Sequence, residues 1–133
     1  MSNLITFVYK LVPSSSPPPE PLPEALPLSS LDSNSGFIHL STAVQVPGTL
    51  KHFFAGDARV YVFRIPYTKV EKDIRWEDPM AEVCGDRGGE GMFPHLYNRG
   101  RLGNAEIESI EVWEKTGNGW DEALARAKAW LVY

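Results

Sequence analysis

The stretch GFIHLST, Gly36 to Thr42, sets a histidine inside a short apolar run and follows it with two hydroxyls. FPHLY, Phe93 to Tyr97, repeats the pattern: F-x-H-L, then a hydroxyl residue. Both read as strands, Phe37 to Ser41 and Phe93 to Tyr97. Side chains alternate across a strand. Ile38 and Leu40 therefore share one face, and Phe37, His39 and Ser41 the other. Pro94 and Leu96 likewise oppose Phe93, His95 and Tyr97. If the apolar pair of each strand turns to the core, both histidines belong to a second surface, each beside an aromatic ring and a hydroxyl. Only the fold can bring the two together.

Working outward, Ile5 to Val12 is β-rich and reads as a first strand. A Pro/Ser-rich loop, residues 14–21, follows; its prolines exclude helix and sheet ladder, and its first part reads as an exposed polyproline-like segment. Leu22, Ala25, Leu26 and Leu28 could drape over the core. Thr42 and Gln45 have the spacing of a capping box, opening a helix near Val46 with Pro47 at its start. That helix should bury Val46, Leu50, Phe53 and Phe54. Arg59 to Ile65 alternates with apolar residues on both faces, Val60 and Val62 against Tyr61, Phe63 and Ile65, as a central strand does. Pro66 to Gly91 is polar and glycine-rich, and reads as a mobile loop. Glu106 to Glu114 is a strand with a bulge or late start. Gly117-Asn118-Gly119 is a turn, and Asp121 caps a last helix burying Leu124, Ala127 and Leu131.

The chain has 133 residues, 43% hydrophobic and 23% charged, with a net charge of -4. One domain spanning 1–133 is the simplest organisation, of α+β class with mostly antiparallel or mixed sheet. The acidic balance argues against nucleic acid as a partner. A single thiol, Cys84, allows no intrachain disulfide. With no signal peptide and no apolar run long enough to span a bilayer, no membrane partner is expected and the cytoplasm is the expected location.

Histidine suits acid–base work near neutrality, so His39 and His95 are the candidate catalytic pair. The alternative is two buried histidines satisfied by backbone. Arg75 is a candidate clamp for an anion and Trp76 a candidate ring stacker, with Glu77 beside them; a surface ion pair next to a core tryptophan is the alternative. Arg87 reads as a solvated loop charge or a mobile anion contact, and His52 as a packing or surface residue. Phe37, Ser41, Phe93 and Tyr97 complete the candidate ligand-binding set. A metal site built from His39, His95 and Glu90 or Asp78 has no supporting spacing, and Cys84 lies in no nucleophile signature.

GFIHLSTAVQVPGTLKHFFAG, the RWE of Arg75 to Glu77, and FPHLY after its glycines together resemble the small proteins grouped as domain of unknown function 952. The likeness runs over most of the chain, about Thr6 to Val112. It implies an ADP-ribosyltransferase-like fold: a split mixed or antiparallel sheet around a cleft, with two main helices. It is similar in outline to RNA 2′-phosphotransferases that consume NAD. His39 and Ser41 match the strand histidine and hydroxyl that hold the nicotinamide riboside there, and His95 and Tyr97 the later contact. Leu40 stands where those transferases often carry glycine, and Glu106, Glu108 and Glu111 match no catalytic-glutamate motif. The resulting expectation is a small enzyme acting on a nucleotide-like or acidic small molecule through a two-histidine cleft, with NAD as the cofactor the likeness implies. The alternative is a non-catalytic binding module with the same cleft. A partner-binding role for the proline-rich loop is a third option.

Overall fold

The computed structural model describes residues 5–117 and 119–133. Among the described residues, six strands form two sheets of three. β1 (Phe7–Pro13), β3 (Arg59–Pro66) and β6 (Ser109–Glu114) pair in the order β1-β3-β6. β2 (Ile38–His39), β5 (Phe93–Leu96) and β4 (Ile74–Glu77) pair as β2-β5-β4. Every pairing is antiparallel. The sheets meet where Tyr9 and Ser41 exchange backbone bonds, Tyr9 N to Ser41 O at 2.8 Å and Ser41 N to Tyr9 O at 2.9 Å. Three short helices, α1 (Ser30–Ser35), α2 (Val46–Phe53) and α3 (Asp121–Arg126), complete an α+β fold.

The alternation of β3 decides the layering. Phe63 and Ile65 pack with Ile38, Leu40, Trp76 and Leu96, so one face of the first sheet covers the apolar face of the second. Val60 and Val62 pack instead with Val46 and Leu50 of α2, Ala123 of α3 and Ala127 at its C-terminal end. The opposite face of the second sheet carries His39, His95 and Arg75 in register.

The capping box forms: Thr42 N donates to Gln45 Oε1 at 3.0 Å, and Gln45 N to Thr42 Oγ1 at 3.3 Å. α2 begins at Val46 with Pro47 in its first turn. Phe53 differs from expectation. It is 72% exposed while Val46 and Leu50 are sealed, because at about 100° per residue the buried arc runs from Val46 through Leu50 to Phe54 and leaves Phe53 at its margin. The segment 66–91 is not all loop: it holds β4 and two 3₁₀ turns. The strand expected over Phe37 to Ser41 shrinks to Ile38–His39, continued only by the Ser41 bridge. α3 is capped by Trp120 without a side-chain bond, and Asp121 is its first helical residue. Leu124 is half-buried, the sealed positions being Ala123 and Ala127. Of the expected turn 117–119, Asn118 lies outside the described residues, and Thr116 and Gly119 bridge around it. Leu22 and Leu26 do drape over the core. α1 carried no expectation; Ser29 Oγ accepts from Asp32 N at its start, and Gly36 ends it at φ 84°.

Candidate functional site

Register aligns the candidate residues on one face of the second sheet. His39 pairs with His95, and His95 with Arg75, so three side chains cross β2, β5 and β4 in a row. Glu77 pairs with Phe93 on the same face, and alternation adds Phe37 and Tyr97. The histidine rings lie 5.4 Å apart, centroid to centroid, edge to face. Phe37 stacks on His95 at 4.1 Å and touches His39 at 4.5 Å and Tyr97 at 5.1 Å.

Each imidazole is held by a buried carboxylate. His39 Nδ1 donates to Asp32 Oδ1 at 2.7 Å, and the His39 backbone N donates to the same oxygen at 3.1 Å. Lys10 Nζ donates to Asp32 Oδ2 at 2.6 Å and to the His39 carbonyl at 3.2 Å. Burial pushes the Asp32 carboxyl up, but the His39 hydrogen bond and the Lys10 charge outweigh it and hold the group below its usual range. His95 Nδ1 donates to Glu77 Oε1 at 2.9 Å, and Tyr97 Oη donates to that oxygen at 2.6 Å. Burial lowers the His95 pKa, with the His39 charge adding to it, against the opposing pull of Glu77. Burial and the Glu77 carboxylate push the Tyr97 phenol up to about 12, so it stays a donor. With Nδ1 committed in both rings, Nε2 is the atom each has left for proton exchange.

Arg75 stands at the exposed end of the row. Its guanidinium lies 4.4 Å over the Tyr97 ring, and no carboxylate pairs with it among the described residues. A cation beside two oriented imidazoles is suited to an anion.

Other expected members lie elsewhere. Trp76 points to the opposite face, buried in the core, where Nε1 donates to Tyr67 Oη at 3.1 Å. It cannot stack on a ligand at the histidines, because it alternates with Arg75 and Glu77. Ser41 is buried with its hydroxyl bonded to Thr49 Oγ1 at 3.0 Å. Phe93 borders a separate depression of about 260 Å³ against α2, shared with His52 and Phe53. Arg87 is paired with Glu71 at 2.7 Å. No group of three His, Cys, Asp or Glu residues is placed to hold a metal among the described residues. No described helix is long and apolar enough to cross a membrane. Sequence reasoning missed Asp32 and Lys10; the Ser29-to-Gly36 helix signals were the available clue to the first.

A family model described as protein of unknown function (DUF952) matches residues 23–110. Among solved structures, the chain is similar to the crystal structure of protein CC0527 from Caulobacter crescentus, at 25% identity and a TM-score of 0.66, covering 90% of this chain and 99% of that one. The solution structure of the same protein gives a TM-score of 0.63 at 25% identity, covering 92% and 97%. No curated protein matches the chain.

Proposed function

The chain belongs to the DUF952 family, and from that premise we propose that it is a small enzyme of ADP-ribosyltransferase-like outline. It would act by proton transfer on a nucleotide-like or otherwise acidic small molecule, with no nucleic acid or membrane as partner. The observation that carries the reading is the pair of imidazoles opposed across β2 and β5, each with Nδ1 on its own buried carboxylate. In this reading His95, neutral at pH 7, takes a proton from the ligand at Nε2 and later returns it, and His39, nearer solvent, holds the ligand through its own Nε2. Asp32 and Glu77 are positioning residues that fix each ring. Tyr97 orients the ligand and Arg75 neutralises its charge. Ser41 and Trp76 drop out of the ligand set.

NAD enters only through the sequence likeness. Phe37 already covers one face of the His95 ring at 4.1 Å, which counts against a nicotinamide stacked there. The reading routes no step through it.

A second reading is a binding module with the same cleft. It is favoured by His95 being 1% exposed, which restricts a substrate's access to that ring. A panel of ADP-ribose, NAD and nucleoside phosphates, followed by melting temperature and by phosphorus NMR, separates the two. Turnover by the wild-type chain that is lost on His39→Ala plus His95→Ala supports the enzyme; turnover unchanged in that double variant overturns it. A melting shift without turnover supports the binding module, since ligand at 100 times its Kd adds about 2.7 kcal/mol.

A further inference from the structure

The depression at Phe93 borders the histidine face through that one residue, which stands two residues along β5 from His95 and on the same side, while the rest of its lining is separate from that face. Its other walls come from α2 and the turn before it. Val44 and Phe53, 73% and 72% exposed, hold large apolar side chains out at its rim. The polar groups around it are mostly spent. Gln45 Oε1 accepts from Thr42 N and its Nε2 donates to the Met92 carbonyl. Thr49 Oγ1 donates to the Gln45 carbonyl and bonds Ser41. What remains is an apolar, partly aromatic wall with the exposed His52 ring beside it.

Its size sets the occupant. Whole-ligand sites run to roughly 300–1,000 Å³, whereas a cavity of about 150 Å³ accepts benzene. About 260 Å³ therefore holds one planar ring and not a complete ligand. The charged remainder has a place in reach: from Phe93 to Arg75 is two residues along and one strand across, about 8 Å between Cα positions.

We infer that the depression is a ring subsite for an aryl or heteroaryl anion, whose planar end lies between Phe53 and Phe93 and whose charged end meets Arg75. The inference rests on the anion-binding reading of Arg75 given above and deepens it by naming the ligand class.

The test titrates inorganic phosphate and phenyl phosphate separately into the wild-type chain, Phe53→Ser and Arg75→Ala, with affinities read by backbone amide NMR. Phe53 is exposed, so its replacement leaves the fold intact. Phenyl phosphate should bind the wild type about tenfold more tightly than inorganic phosphate. Phe53→Ser should erase that preference without changing the affinity for inorganic phosphate, and Arg75→Ala should weaken both. Equal binding of the two probes to the wild type, or a preference that survives Phe53→Ser, overturns the subsite; if Arg75→Ala still weakens both, the anion site stands without it. A ring preference lost in Phe53→Ser but untouched by Arg75→Ala supports the subsite and removes Arg75 as anchor. Failure of either phosphate to bind overturns both.

Discussion

His39 and His95 are directly opposed across β2 and β5, but their surroundings differ: the His39 side chain is 27% exposed and that of His95 1%. Burial, with the His39 charge adding to it, holds the His95 pKa below 6.5 while Glu77 pulls the other way. Imidazole NMR against pH should show the His95 midpoint below the unperturbed value. Replacing His39 by Phe should raise that midpoint, and Glu77→Gln should lower it further. An unchanged midpoint in both variants would mean the three groups are not coupled. The stability consequence follows by linkage. The unfolded chain takes this proton first, so stability present above about pH 6.5 falls as pH drops through the window beneath it. The melting temperature should therefore decline from neutral pH towards pH 5, and His95→Gln should flatten that part of the curve.

Glu77 accepts from both His95 Nδ1 and Tyr97 Oη while almost fully buried. Glu77→Ala strands two neutral donors, each worth about 1–3 kcal/mol when left unsatisfied, and should destabilise the fold by about 2–6 kcal/mol, read by denaturant midpoint. Glu77→Gln keeps an acceptor oxygen and should cost less. The Tyr97 phenol, at about 12 in the wild type, should titrate lower in Glu77→Gln by phenolate absorbance. Its folded pKa is raised, so its contribution is present below about pH 10 and lost as pH rises towards 12.

The α+β class, the central strand β3 and the sharing of one face by each histidine with its aromatic neighbour were all legible, because period-two alternation is written in short windows. The carboxylate partners were not. Asp32 sits in the polar run SLDSNS and reaches His39 only through the αL turn at Gly36. Glu77 is one residue of a four-residue strand inside a polar, glycine-rich segment. The signal there was present and short: Ile74 and Trp76 alternate with Arg75 and Glu77, which already puts the tryptophan on the apolar side. The pairing of His39 with His95 is a matter of register between distant strands, and local pattern carries no information about that.

Neighbouring residues of β4 should give opposite phenotypes. Trp76 is buried against Tyr67 and the core, so Trp76→Ala should cost about 3–5 kcal/mol of stability. Trp76→Phe should fold and leave anion binding intact. Arg75 is exposed, with a single cation–π contact to Tyr97. Arg75→Ala should cost no more than about 1 kcal/mol, yet weaken anion binding. Chemical denaturation and phosphate titration of both variants check this; loss of binding in Trp76→Phe would contradict the assignment of faces.

Gly103 and Gly48 provide a matched pair of alanine substitutions. The proline-rich segment is strapped to the body of the chain: Leu26 N donates to the Leu102 carbonyl and Asn104 N to the Pro23 carbonyl, each at 2.9 Å. A Cβ on Gly103 would run into the carbonyl oxygens of Pro23 and Glu24, backbone atoms that can yield only if the strap shifts. Gly103→Ala should therefore cost about 1–3 kcal/mol and speed proteolytic cleavage between residues 14 and 28. Gly48, inside α2, has nothing within 4 Å of a Cβ, and Gly48→Ala should raise stability by up to about 1 kcal/mol through helix propensity alone. Denaturant midpoints of the two variants should move in opposite directions; a neutral Gly103→Ala would show that the strap is not held against the Leu102–Asn104 turn.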